Sequence, residues 1–190
     1  WIMVEKSKNK YTYLLKNFGL LTISNFGSKI LSLILIPIYT SILTTEEYGN
    51  YDLFTNTIGL LIPILTIDIV ASVLRFSLDK NKDRKSVFSF GMKINAIAII
   101  LVLIFCIINY ILNLIPLFKE YTLYFFLLFL STLIYNYLSS FARGIEKIKL
   151  ISIAGIINTI VMLVGNILFL VIFKIGLNGY FLANILAYIV

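Results

Sequence analysis

Long apolar runs separated by short polar connections fill this chain. Residues 18–43, 51–75, 87–112, 121–142 and 150–173 are each long enough to cross a membrane, and a sixth run opens near Gly179 and is still apolar at Val190. About 20 predominantly apolar residues cover a hydrocarbon core about 30 Å thick as an α-helix. A transmembrane barrel would instead show alternating segments of about 10 residues, and these are absent. The pattern predicts an all-α, polytopic transmembrane helical bundle with about five full spans plus a truncated sixth. One domain, residues 1–190, accounts for every run. The sixth run is too short to span, so the chain is expected to continue past Val190.

Charge changes the picture by orienting the bundle. The net charge is +7, but the basic residues lie in the connections and not in a soluble patch, which argues against nucleic acid as a partner. Lys6, Lys8, Lys10 and Lys16 precede the first run. Lys80, Lys82, Arg84 and Lys85 follow the second, and Arg143, Lys147 and Lys149 follow the fourth. The acidic connection after the first run has no lysine or arginine, and those after the third and fifth have one each, Lys119 and Lys174. Cytoplasmic connections carry the lysine and arginine excess, so the N-terminus is expected inside. Tyr48, Tyr51, Tyr110 and Tyr121 then fall at the outer interface, where amphipathic rings are favoured. A basic start before an apolar run also suits a signal peptide. This run exceeds the 7–15 residues of such a segment and lacks a small-residue cleavage site, so a retained helix is expected. Met3 is a candidate start residue.

Composition removes most catalytic chemistry. With 60% hydrophobic residues, 13% charged residues and a mean hydropathy of +0.98, this is no soluble domain. There is no histidine, and Cys106 is the single cysteine. The usual proton shuttle, a disulfide within the chain and a cysteine metal cluster are thereby excluded. No cofactor, metal site or catalytic residue is expected, and an enzyme is the disfavoured class.

Polar side chains inside the runs are the candidate functional residues. Thr22, Asn25, Lys29 and Ser32 recur at helical spacing on one face of the first run. Lys29 lies about 16 Å along the helix from Phe18, too deep to reach the headgroups easily, so a cavity-facing ammonium is expected. In the second run Asp68, Ser72 and Arg75 share a face. Asp68 needs a partner, either Lys29 or Lys93, in an ion pair that holds helices together or in a substrate site. Lys93 either lines the cavity or reaches back to the cytoplasmic interface. In the fifth run Ser152, Gly155, Thr159, Met162 and Asn166 form a small and polar stripe, a pattern that favours close helix packing over cavity lining. Tyr124 and Tyr135 offer faces for sugars or simply pack. Pro37 and Pro63 each remove a ladder hydrogen bond, giving either hinges or static kinks.

Several motifs are similar to a known family. Pro37-Ile38-Tyr39, Leu43 and Thr45-Glu46-Glu47-Tyr48-Gly49 resemble the end of helix one in bacterial polysaccharide-biosynthesis flippases, the oligosaccharide-lipid branch of the multidrug/oligosaccharidyl-lipid/polysaccharide exporter superfamily. Leu74-Arg75-Phe76 resembles the end of that family's helix two, and Arg143-Gly144 with Lys147 its loop after helix four. The resemblance covers essentially the whole chain and implies most of the N-terminal lobe of a two-lobed exporter. It implies movement of an undecaprenyl-pyrophosphate-linked oligosaccharide across the bacterial cytoplasmic (inner) membrane, among membrane lipids and beside a polysaccharide polymerase and glycosyltransferases. Lys29 would be the principal contact to the pyrophosphate, with Arg75 and Lys93 beside it. Three other readings compete: a cation-coupled multidrug exporter, a peptidoglycan-precursor flippase of the same superfamily, and a non-transporting fragment or assembly subunit.

Overall fold

A computed structural model describes residues 39–79 and 81–190, together with Gly19, Thr22, Ile30, Leu33, Ile36 and Pro37. The helices are α1 (Thr45–Thr66), α2 (Ile69–Leu78), α3 (Arg84–Leu112), the short α4 (Pro116–Glu120), α5 (Thr122–Gly144), α6 (Ile148–Asn166) and α7 (Leu177–Ile189). A π-helical segment, Ile167–Ile172, prolongs α6. No strand forms among the described residues. Three helices there are long and apolar enough to cross a membrane: α3, α5 and the continuous Ile148–Ile172. Counting the bent pair α1–α2 as one span makes four. Most of the first apolar run lies outside the described residues, so five spans are an expectation that this count neither reaches nor excludes.

Two local features differ from the sequence reading. The acidic stretch after Leu43 is the first turn of α1 and not a free connection. Thr44 caps it by accepting from the Glu47 backbone N–H at 3.2 Å, while the Glu47 carboxylate accepts from the Thr44 N–H at 2.8 Å. This reciprocal box satisfies two helix-end donors, and the acids favour the positive end of the helix dipole. The second run is also not one helix. It breaks at Ile67 and Asp68, both left-handed (φ 52° and 48°), with a 58° bend between α1 and α2. The loosening starts at Pro63, whose carbonyl accepts the N–H groups of both Ile67 and Asp68. The kink therefore falls just past the proline, where an L-residue adopts αL only at some cost.

Packing follows membrane rules. Lipid tails are as apolar as leucine, so helices associate through close fit and interhelical hydrogen bonds. Helices α6 and α7 make the most extensive pair, followed by α2 and α5. The Ser140 hydroxyl donates to the Val70 carbonyl at 2.7 Å, and Tyr137 donates to the Phe88 carbonyl at 2.5 Å. Asn158 reaches the Ala187 carbonyl on α7 at 2.5 Å. At one end of the bundle an aromatic core joins α1, α4, α5 and α7. Tyr51–Tyr180 (4.1 Å between centroids), Phe54–Phe118 (4.8 Å) and Phe118–Phe125 (4.7 Å) are its contacts. Tyr51 is thus buried in the core and Tyr48 and Tyr121 pack against it, whereas Tyr110 is exposed as an interfacial ring should be, with Lys119 over its face.

The bundle ends differ in charge. Where α2 and α5 finish and α3 and α6 start, the described residues Arg75, Lys82, Arg84, Lys85, Arg143, Lys147 and Lys149 gather. Glu46, Glu47, Asp52 and Glu120 gather at the aromatic end with Lys119 and Lys174.

Candidate functional site

A cavity of about 740 Å³ lies between α1, α5 and α6, with Asp68 and Val70 from the bend and Tyr188 of α7 completing its wall. Its polar side is built by two stripes on neighbouring helices. On α5, Thr132, Asn136, Ser139, Ser140 and Arg143 fall at i, i+4, i+7, i+8 and i+11, one face of a helix. On α6, Ser152, Gly155, Thr159 and Met162 fall at i, i+3, i+7 and i+10. From Thr132 to Arg143 the stripe runs about 16 Å, roughly half the hydrocarbon core.

The two ends of the cavity contrast. Thr55, Leu128 and Met162 mark its limit toward the aromatic core. Beside them Phe54, Phe125 and Phe181 are fully buried, the Phe54 ring meeting the other two at 5.5–5.6 Å. At the other end stand Asp68, Arg143 and Ile151, next to the cation-rich connections.

Several lining groups already have partners. Thr55 donates to the Tyr51 and Asp52 carbonyls, Thr159 to the Gly155 carbonyl, and Ser140 to α2. The side chains of Thr132, Asn136, Ser139 and Arg143 make no hydrogen bond to any described residue. A guanidinium, an amide and two hydroxyls on one helix face thus remain available, with the Asp68 carboxylate on the same wall. Such a set suits a ligand carrying both an anionic group and hydroxyls, because guanidinium forks match phosphate oxygens. Among the described residues no group of three or more acidic, cysteine or histidine side chains could hold a metal ion.

The sequence candidates distribute unevenly over this geometry. Asp68 lines the cavity, but as the residue before α2 in left-handed conformation and not from a helix interior. It makes no ion pair with Lys93. Arg75 and Lys93 are exposed and stand outside the cavity wall. Pro63 lines the cavity beside the bend. Asn25, Lys29 and Ser32 lie outside the described residues, and Pro37 is helical and exposed, its carbonyl accepting from the Thr40 hydroxyl at 3.2 Å. The α6 stripe lines the cavity except for Asn166, which is buried, so its polar face does more than pack helices. Tyr135 lines the cavity while its ring meets Tyr188 at 5.4 Å. The α5 stripe is the feature that reading the sequence missed. Its signal was there, in polar residues at helical spacing along a membrane-length apolar run.

These features define a polytopic helical membrane protein with a polar cavity between its helices. A family model for polysaccharide biosynthesis proteins matches residues 14–190, and the chain belongs to that family. No curated protein and no solved structure matches it.

Proposed function

We propose that this chain forms one wall of a flippase that carries a lipid-linked oligosaccharide across the bacterial cytoplasmic membrane by alternating access. The substrate class is an undecaprenyl-pyrophosphate-linked sugar, loaded from the cytoplasmic leaflet with the N-terminus on that side. The observation that carries the reading is the α5 stripe, which sets Arg143 beside Asn136, Ser139 and Thr132 in a cavity at the cation-rich end. Moving a pyrophosphate through a membrane requires its desolvation to be offset by fixed cations. The amide, the hydroxyls and Asp68 would engage sugar hydroxyls. Closure by aromatic residues at one end and polar lining toward the other fits a cavity loaded from one side.

The test is flipping of a fluorescent lipid-linked oligosaccharide by the full-length protein in vesicles. Arg143→Gln should lower the rate by about tenfold, the loss of one charge-assisted contact, and Arg143→Lys should recover part of it. Lys29→Ala, measured in parallel, should lower it further if its ammonium meets the same head group. Full activity in Arg143→Gln, in Lys29→Ala and in the double variant would reject the reading. A second reading, a cation-coupled multidrug exporter, draws on Asp68 in the same wall. Dye efflux that is lost in Asp68→Asn, with no flipping of sugar lipid, would favour it.

A further inference from the structure

A second, apolar recess lies on the other side of the bend. It measures about 480 Å³ and runs between α2 and the first half of α3. Ile69, Val73 and Phe76 form one bank, and Val87, Phe90 and Ile94 the other. Ile67 (85% exposed), Phe76 and Phe90 open outward, so the recess faces the bilayer. Lys93 stands beside the recess on α3 without lining it. It is exposed, follows Ser86 and Phe90 at i+7 and i+3 on the same helix face, and directly precedes Ile94. It lies nine residues past Arg84, about 14 Å along α3, and pairs with no carboxylate among the described residues.

An unpaired ammonium at that depth is costly unless an anion comes to it. The four-carbon stem can lean toward the headgroups, along the banks of the recess. Arg84 and Lys85, both exposed, sit above it at the start of α3. We propose that this recess holds one acyl chain of an anionic phospholipid whose phosphate pairs with Lys93. The charge complement names the occupant: an apolar slot open to the bilayer, with Lys93 toward its deeper end and Arg84 and Lys85 above it on the same helix, fits an anionic lipid better than a zwitterionic one. The site is independent of the transport cavity, from which Lys93 is absent.

The experiment uses full-length protein in which every native tryptophan is replaced by phenylalanine and Phe90→Trp is introduced, reconstituted in mixtures of brominated phosphatidylglycerol and phosphatidylcholine. Quenching of the Phe90→Trp indole reports which lipid sits at the recess. A preference for phosphatidylglycerol of about fivefold is expected for one ammonium–phosphate contact near the surface. Lys93→Gln should bring it close to one, and Lys93→Arg should keep it. Ile160→Trp, on exposed α6 surface, should show no comparable preference. The proposal is overturned if both lipids quench Phe90→Trp equally, if the preference survives Lys93→Gln, if Ile160→Trp shows the same preference, or if neither lipid quenches at position 90.

Discussion

Gly144 is the position at which one added methyl group should cost most. It is the last residue of α5 and lies against the end of α2. A Cβ there would fall 2.4 Å from the Ser77 Cβ and 3.0 Å from the Leu74 carbonyl oxygen. Both neighbours are tied to α2 backbone, so neither can move without separating the helices. Over-packing of this kind costs about 1–3 kcal/mol. The gain of replacing glycine in a helix, at most about 1 kcal/mol, is reduced at a terminal position, so Gly144→Ala should be net destabilising by about 1–2 kcal/mol. The clash names its own rescue. Ser77→Gly deletes the nearer obstacle, so the double variant should lose clearly less stability than the two single losses added together. Gly49→Ala provides the opposite sign, because nothing lies within 4 Å of its added Cβ, and should stabilise by about 0.5–1 kcal/mol. The assay is denaturant or thermal unfolding of the full-length protein in detergent, followed by circular dichroism. The close α2–α5 contact is refuted if Gly144→Ala is as stable as Gly49→Ala, or if the two losses at 77 and 144 simply add.

Two further outcomes can be checked with the same material. Asn95 is 1% exposed on α3, and neither its amide nitrogen nor its oxygen has a hydrogen-bond partner; Asn95→Leu removes that unmet desolvation and should raise stability by about 1–3 kcal/mol, and a loss of stability in the same unfolding assay would mean the amide is engaged. Asp83 caps α3 by accepting from Lys85 and Ser86, and the Ser86 hydroxyl and the Lys85 N–H hold its carboxyl below the usual carboxylate range. Because the folded-state value is the lower one, the cap's contribution is present above the ordinary carboxylate pKa and fades as pH falls through the depressed value. Hydrogen-exchange protection of the first turn of α3 should weaken over that acidic window in the native protein and be insensitive to it in Asp83→Ala; an identical pH dependence in both would contradict the assignment.

The sequence was most readable where physics is local. Membrane-length apolar runs located α3, α5 and α6 within a few residues, because a span must satisfy its own backbone. The Thr44 and Glu47 box is equally local, and it was overlooked only because the acids were read as a connection. The break at Ile67 and Asp68 was readable only in part: Pro63 marked a kink, but no glycine marks where it falls, and the left-handed Ile67 and Asp68 turn their N–H groups back to the Pro63 carbonyl. Tyr51 looked like an interfacial ring and is a core residue, because α7 sets Tyr180 and Phe181 against its ring. For the cavity, the α6 stripe gave residues, Ser152 and Thr159, that are buried as packing expects and that also line the cavity, the role the pattern had disfavoured. A stripe of small and polar side chains is the same on paper whether it meets a helix or a void. Lys93 and Arg75 illustrate the converse, since depth in a run does not say which way a side chain faces.

The bend between α1 and α2 also sets how far that pair reaches along the bundle. Helix α1 has 22 residues and α2 has 10, or about 33 Å and 15 Å of rise. At 58°, α2 adds only about 8 Å along the direction of α1. A straight rod of the two would reach about 7 Å farther and carry the start of α3 that much farther along the direction of α1. Two left-handed residues therefore set how far the start of α3, with Arg84 and Lys85, stands from the end of α1.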